Sequence, residues 1–194
     1  TIEDSDPDVD ALAFDHAAQL YRSALAHGGP DAARRRRLSL TLAETLGHAG
    51  RGADAAAVYL EVAAQADDDA SVALRCLAEA ACHQLGCGLV DEGLASLAEA
   101  VKAGGGALKY QKAYALALER TGPSAKQSER RRRYDQALAI WERLLSTSAQ
   151  DPQLSREARQ HVVTLWPLMG TLERREAPLE RRLRATPPDL DAGR

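Results

Sequence analysis

Residues 53–62 read Ala53-Asp54-Ala55-Ala56-Ala57-Val58-Tyr59-Leu60-Glu61-Val62. The small Ala55 is followed four positions later by the large Tyr59, and three further on by Val62, so the three share one face of a helix. The same pattern recurs at Ala17, Tyr21 and Ala24 and at Gly93, Leu97 and Ala100, each set displaced from the first by 38 residues. It returns at Ala137, Trp141 and Leu144 after 44 residues, and more weakly at Ala177, Arg181 and Arg184 after 40. A fixed period of this length marks a repeat architecture, in which each unit buries its apolar face only against its neighbours. The small residue lets the two helices of a hairpin touch, and the large one fills the next groove.

Each of these helices has a partner ahead of it. Leu38, Leu42 and Leu46 recur at helical spacing before Gly50 and Gly52 break the chain. Leu77, Ala80, Ala81 and Leu85 do the same ahead of Gly86 and Gly88. Asp91 and Glu92 then suit the positive end of the following helix. Between hairpins, residues 67–69 and Ser71 supply stop and N-cap chemistry. The pattern predicts helices near 8–26, 33–48, 53–65, 70–85, 90–102, 107–120, 129–147, 153–166 and 171–185, with Pro167 ending or kinking its helix after Trp166.

Residues 1–10, with Asp4, Asp6, Asp8 and Asp10, read as an acidic, disordered lead-in. Hairpins then fill 11–103. The stretch 104–128 holds the Gly104-Gly105-Gly106 break, one helix and a polar connector, and reads as a hinge. A second set of hairpins fills 129–194, where Pro187-Pro188-Asp189-Leu190 resembles the turn that opens a further repeat. With Thr1 in place of a start methionine, the chain reads as a segment of a longer solenoid.

Composition agrees. Hydrophobic residues make up 45% of the chain but aromatics only 4%, with alanine and leucine dominant. Alanine is the strongest helix former, whereas valine, isoleucine and threonine, the residues of strands, are scarce. A net charge of −3 creates no field that would draw nucleic acid or an anionic membrane. No apolar run approaches the roughly 20 residues that span a bilayer. Three cysteines, an odd and sparse set, read as reduced cytoplasmic thiols.

Leu42, Ala43 and Leu46, with Ala55 and Tyr59 in the following helix, resemble the tetratricopeptide repeat. Val62 stands where that family prefers alanine, Asp67 where it often has proline, and Ser39 where it has its first-helix Trp. The unit of 38 to 44 residues exceeds the family's period of about 34. The resemblance implies an all-α, right-handed superhelical array of antiparallel hairpins that binds a protein or peptide partner. A narrower resemblance covers 14–101. Residues 14–21, Gly50-Arg51-Gly52-Ala53-Asp54-Ala55-Ala56 and Val90-Asp91-Glu92-Gly93-Leu94 are similar to the repeat region after the kinase domain of large bacterial serine/threonine protein kinases. This implies a regulatory segment that contacts a partner or another domain of its own polypeptide.

Nothing in the chain carries catalytic chemistry. Cys76, Cys82, His83 and Cys87 lack the paired, loop-borne spacing of a zinc site, and read as buried small hydrophobes beside a surface histidine. Most of the five histidines read as solvated. Gly50-Arg51-Gly52 and Gly86-Cys87-Gly88 lack the strand and the Lys-Ser/Thr of a phosphate loop, and read as hairpin turns. No cofactor, metal or catalytic residue is therefore expected. The runs Arg34–Arg37 and Arg130–Arg133 read as solvated, ion-paired helix starts, with a docking patch as the alternative.

The informative feature is a polar column. Arg37, Thr41, Glu44 and His48, spaced by four, three and four, share one face of their helix, and Arg75 and Glu79 repeat the theme one hairpin later. In the resembled family the first helices line a concave groove, so these six residues are the expected ligand-binding positions, with Ala78, Cys82 or Leu85 as apolar anchors. The alternatives are an architectural spacer in a larger assembly and, more remotely, an enzyme.

Overall fold

A computed structural model describes residues 7–27, 31–66, 69–148 and 150–169. Among the described residues the secondary structure is entirely helical: α1 (Pro7–Ala26), α2 (Ala32–His48), α3 (Gly52–Ala64), α4 (Ala70–Gly86), α5 (Val90–Ala103), α6 (Leu108–Thr121), α7 (Gln127–Thr147) and α8 (Pro152–Leu168). The expected helix at 171–185 and the weak repeat at Ala177, Arg181 and Arg184 lie outside the described residues.

Local chemistry sets the boundaries. Asp31 caps α2 by accepting from the Arg34 amide at 2.7 Å. Asp69 caps α4 through the Val72 amide at 3.1 Å, and Asp151 caps α8 through the Gln153 and Leu154 amides at 3.1 and 3.0 Å. Gly50 (φ 73°) and Gly88 (φ 84°) turn the chain between helices in the left-handed region that side chains disfavour. Two expectations are corrected. Helix α1 begins at Pro7, so residues 7–10 form its first turn rather than a disordered lead-in; proline suits that position, and Asp8 and Asp10 suit the positive helix end. Of the two outcomes expected at Pro167, an end or a kink, the end after Trp166 is not seen: the proline sits in the last turn, and the helix closes at Leu168 with the Met169 amide bonded to the Leu165 carbonyl.

The chain forms two compact units, Thr1–Ala117 and Leu118–Arg194, and the division falls within α6, inside the 104–128 stretch. In the first unit α1 to α5 pack in a row, each against the next, which is the arrangement of a helical solenoid. Two clusters fill the space between them. One joins Ala18 of α1, Leu42 and Leu46 of α2 and Ala55 of α3; the other joins Ala43, Ala56, Tyr59, Val62, Cys76 and Ala80 of α2, α3 and α4. Small residues bring the helices close. A Cβ on Gly93 of α5 would lie 2.7 Å from Leu85 Cγ and 3.2 Å from the Ala81 carbonyl of α4. Beside that contact the buried Ser96 hydroxyl donates to Gln84 Oε1 at 2.8 Å.

In the second unit α7 packs on α8. Trp141 is fully buried, and Ala137, Leu138, Leu144, Ala158, Val162 and Leu165 complete the core. The repeat register holds: Tyr59, Leu97 and Trp141 are buried at equivalent places, and only Tyr21 is half-buried.

Candidate functional site

The first helices α2 and α4 lie side by side. A Cβ on Gly47 of α2 would stand 2.6 Å from His83 Cε1 of α4, so this glycine is where the two helices touch. The His83 ring in turn stacks on Tyr59 of α3, with centroids 5.8 Å apart and planes 15° from parallel. Tyr59 therefore sits behind the α2–α4 seam.

Arg37, Glu44, Arg75 and Glu79 are exposed, and Thr41 is half-buried. Glu44 on α2 and Glu79 and Arg75 on α4 act through space on the ionisation of Tyr59. Burial first, then the two carboxylates, push the Tyr59 phenol up to about 12, with Arg75 opposing. Glu44, Arg75 and Glu79 thus stand on the two helices that flank Tyr59.

The other column members differ. Thr41 donates its hydroxyl to the Arg37 carbonyl at 3.1 Å, so its proton is engaged within α2. His48 is exposed but turns toward α1, stacking on Phe14 at 5.1 Å, away from α4. Of the expected apolar anchors, Ala78 is half-buried and Cys82 exposed, but Leu85 packs on Gly93 of α5 instead. A leucine one turn from the glycine turn closes the α4–α5 hairpin rather than lining a groove.

Several residues depart from their sequence reading. Cys76 is buried, and its thiol is pushed up chiefly by burial, but Cys82 and Cys87 are exposed rather than core. The histidines are mostly exposed as expected (His16, His27 and His48), whereas His83 and His161 are half-buried and stack on Tyr59 and Trp141. Among the described residues no cluster of three or more His, Cys, Asp or Glu side chains could hold a metal.

The second arginine run is built into the fold. Arg130 donates to the Pro123 and Ala125 carbonyls at 3.1 and 3.3 Å, and Arg132 pairs with Glu129 at 2.7 Å. Arg133 is buried and donates to the Thr121 carbonyl at 3.0 Å. These bonds tie the 121–128 connector to α7. Arg132 holds the Glu129 carboxyl below its usual range.

Sequence reasoning missed a cluster in the second unit. The Trp141 indole N–H donates to Glu119 Oε1, and His161 Nδ1 lies 2.9 Å from Glu119 Oε2. The His161 ring lies flat on Trp141, centroids 4.3 Å apart and planes 5° from parallel. One carboxylate thus joins α6, α7 and α8 around the largest buried side chain.

Helix hairpins packed in a row, one small-large-apolar register repeated through them and paired first helices presenting a polar seam define a helical-repeat binding module. The tetratrico peptide repeat family matches residues 10–118, more than half of the chain, and the chain belongs to it. Repeats of this family typically mediate protein–protein contact rather than catalysis. No curated protein matches the chain.

Proposed function

We propose that the seam between α2 and α4 binds a segment of a protein partner, or of another domain of the same polypeptide, through Arg37, Glu44, Arg75 and Glu79, with Thr41 and His48 at its α2 side. The observation that supports this reading is that Gly47 of α2 meets His83 of α4, so that the exposed Glu44 of one helix and the exposed Arg75 and Glu79 of the other stand on adjoining helices. Both signs of charge stand on one surface, which suits a ligand segment carrying both signs. Its hydrogen bonds strengthen as the ligand excludes water. The resemblance of residues 14–101 to kinase-associated repeats supports reading the module as a regulatory segment of a larger bacterial signalling protein, acting in the cytoplasm. A net charge of −3 argues against nucleic acid as the partner. Among the described residues no helix is long and apolar enough to cross a membrane.

Charge reversal at Glu44→Lys together with Arg75→Glu tests this. Each lost charged hydrogen bond contributes about 1.5–3 kcal/mol, so affinity for a partner captured by the wild-type chain falls by at least about tenfold. Both side chains are exposed, so unfolding free energy stays within about 0.5 kcal/mol. Titration calorimetry and urea unfolding on the same samples separate the two. Unchanged affinity would leave the architectural spacer as the function. A large loss of stability would mean that the seam is an internal ion-pair network.

A further inference from the structure

The two arginine runs meet different fates. In the second, Arg130 and Arg133 are spent on backbone carbonyls, and Arg131 and Arg132 on Asp135 and Glu129 of their own helix. In the first, only Arg36 meets a carboxylate among the described residues, Asp69 at 3.9 Å. Arg34, Arg35 and Arg37 are exposed. The Asp69 contact positions more than it neutralises. One Asp69 oxygen accepts from the Val72 amide to cap α4, and the other faces Arg36 at the outer limit of an ion pair. The half-buried guanidinium is steadied there without being saturated.

Beside these arginines a hollow of about 70 Å³ opens between the start of α2 and the end of α3. It is lined by Ala32, Arg35, Arg36, Val62 and Gln65. The buried Val62 and the methyl of Ala32 make its apolar wall, and no carboxylate is among the lining side chains. The polar lining is two guanidiniums and one carboxamide, so it consists almost wholly of N–H donors. The volume is well below the roughly 300–1,000 Å³ of a small-molecule pocket, so the hollow takes one head group rather than a whole ligand.

We infer that this hollow binds a phosphoryl dianion. Each guanidinium presents a planar fork that bonds two oxygens at once, and the Gln65 carboxamide adds a further donor group. A phosphoryl group answers with three terminal oxygens and a charge of about −1.5 to −2 at neutral pH, which matches two arginines. A carboxylate, with two oxygens and one charge, leaves one fork idle. The apolar wall of Val62 and Ala32 keeps water from one side, which strengthens the charged hydrogen bonds. A nucleic acid strand fits less well. Its successive phosphates would run onto Asp31, which caps α2, and Asp69, and no aromatic ring lines the hollow to stack a base. The site uses none of the seam residues Arg37, Glu44, Arg75 and Glu79, so either reading can fail without the other.

The probes are inorganic phosphate, phenyl phosphate and a short glycine-alanine peptide carrying one phosphoserine. Each is titrated at low salt into the full 194-residue chain while the side-chain N–H resonances are followed by NMR. Saturable shifts are expected at the Arg35 and Arg36 guanidiniums and the Gln65 carboxamide, with acetate and the unphosphorylated peptide binding at least about tenfold more weakly. Arg35→Gln and Arg36→Gln each weaken phenyl phosphate binding by at least about tenfold. Arg36→Lys weakens it as well, because the charge stays but the fork is lost. Arg131→Gln leaves it unchanged. Arg35 is exposed, so Arg35→Gln keeps the fold and decides the matter even where an Arg36 variant unfolds. Tighter binding of the phosphopeptide than of inorganic phosphate assigns the group to a protein partner, and the reverse to free phosphate; both uphold the site. No shift at these three residues, binding that survives Arg35→Gln, or acetate binding as tightly as phenyl phosphate would overturn it. So would a single-stranded oligonucleotide binding more tightly than the phosphopeptide, because the run would then serve a polyanion.

Discussion

Replacing Trp141 with alanine is expected to lower the unfolding free energy of the second unit by about 3–5 kcal/mol, the usual cost of removing a buried aromatic. The indole is fully buried in α7, its ring is covered by His161 of α8, and its N–H donates to Glu119 of α6. The substitution opens a cavity, removes the stacking surface and leaves Glu119 Oε1 without its donor. Urea unfolding followed by circular dichroism measures the loss. Glu119→Ala is expected to cost less, about 1–3 kcal/mol, because it leaves the Trp141 packing in place and removes only the partner of the buried indole N–H and of the half-buried His161 ring. A Trp141→Ala shift below about 1 kcal/mol would mean that this residue is not at the centre of the unit.

Tyr59 is the counterpart in the first unit. Tyr59→Ala is expected to cost about 3–5 kcal/mol as well, because the ring joins α2, α3 and α4 and carries the His83 stack. Its hydroxyl adds a pH dependence. The phenol is pushed up from 10.0 to about 12 in the folded chain, chiefly by burial, so the folded state holds its proton more tightly than the unfolded one. The stability linked to Tyr59 is fully present below pH 10. It falls as pH rises toward 12, at up to about 1.4 kcal/mol per pH unit. Tyr59→Phe removes that slope while keeping the ring. Parallel urea curves at pH 8 and pH 11 for the two proteins isolate this residue from the other tyrosines and lysines. An equal loss in both would place the Tyr59 hydroxyl in open water.

Much of the fold was legible because the repeat writes the same packing problem several times. The spacing of Ala55, Tyr59 and Val62 located the buried face of α3, and the same spacing located those of α5 and α7. Amphipathic spacing also identified Arg37, Glu44, Arg75 and Glu79 as exposed. What periodicity does not encode is which neighbour a side chain turns to. His48 shares a helix face with Glu44, yet an aromatic ring on α1 draws it the other way. The Glu119 cluster joins residues 22 and 42 positions apart on three helices, which no local pattern marks. A fully buried Trp needs an acceptor for its N–H, and that rule alone could have prompted a search for one. Arg133 was readable too: it stands four residues before Ala137 and eight before Trp141, on the buried face of α7 rather than the wet one. The run of four arginines concealed this, because a block of like charge invites a single reading for all its members.

Position by position, one register runs through α1, α3 and α5, and positions 24, 62 and 100 hold the same place in it, exposed in α1 and buried in the others. Cysteine labelling tests it directly. With Cys82 and Cys87 replaced by serine and the buried Cys76 by alanine, single cysteines are placed at 24, 62 and 100, three equivalent positions, and their reaction rates with a thiol reagent are compared under native conditions. The cysteine at 24 is expected to react at nearly the rate of an unfolded thiol. Those at 62 and 100 are expected to be slower by at least about a hundredfold, because labelling there waits on local opening. Comparable rates at all three positions would contradict the register, and with it the hairpin stack.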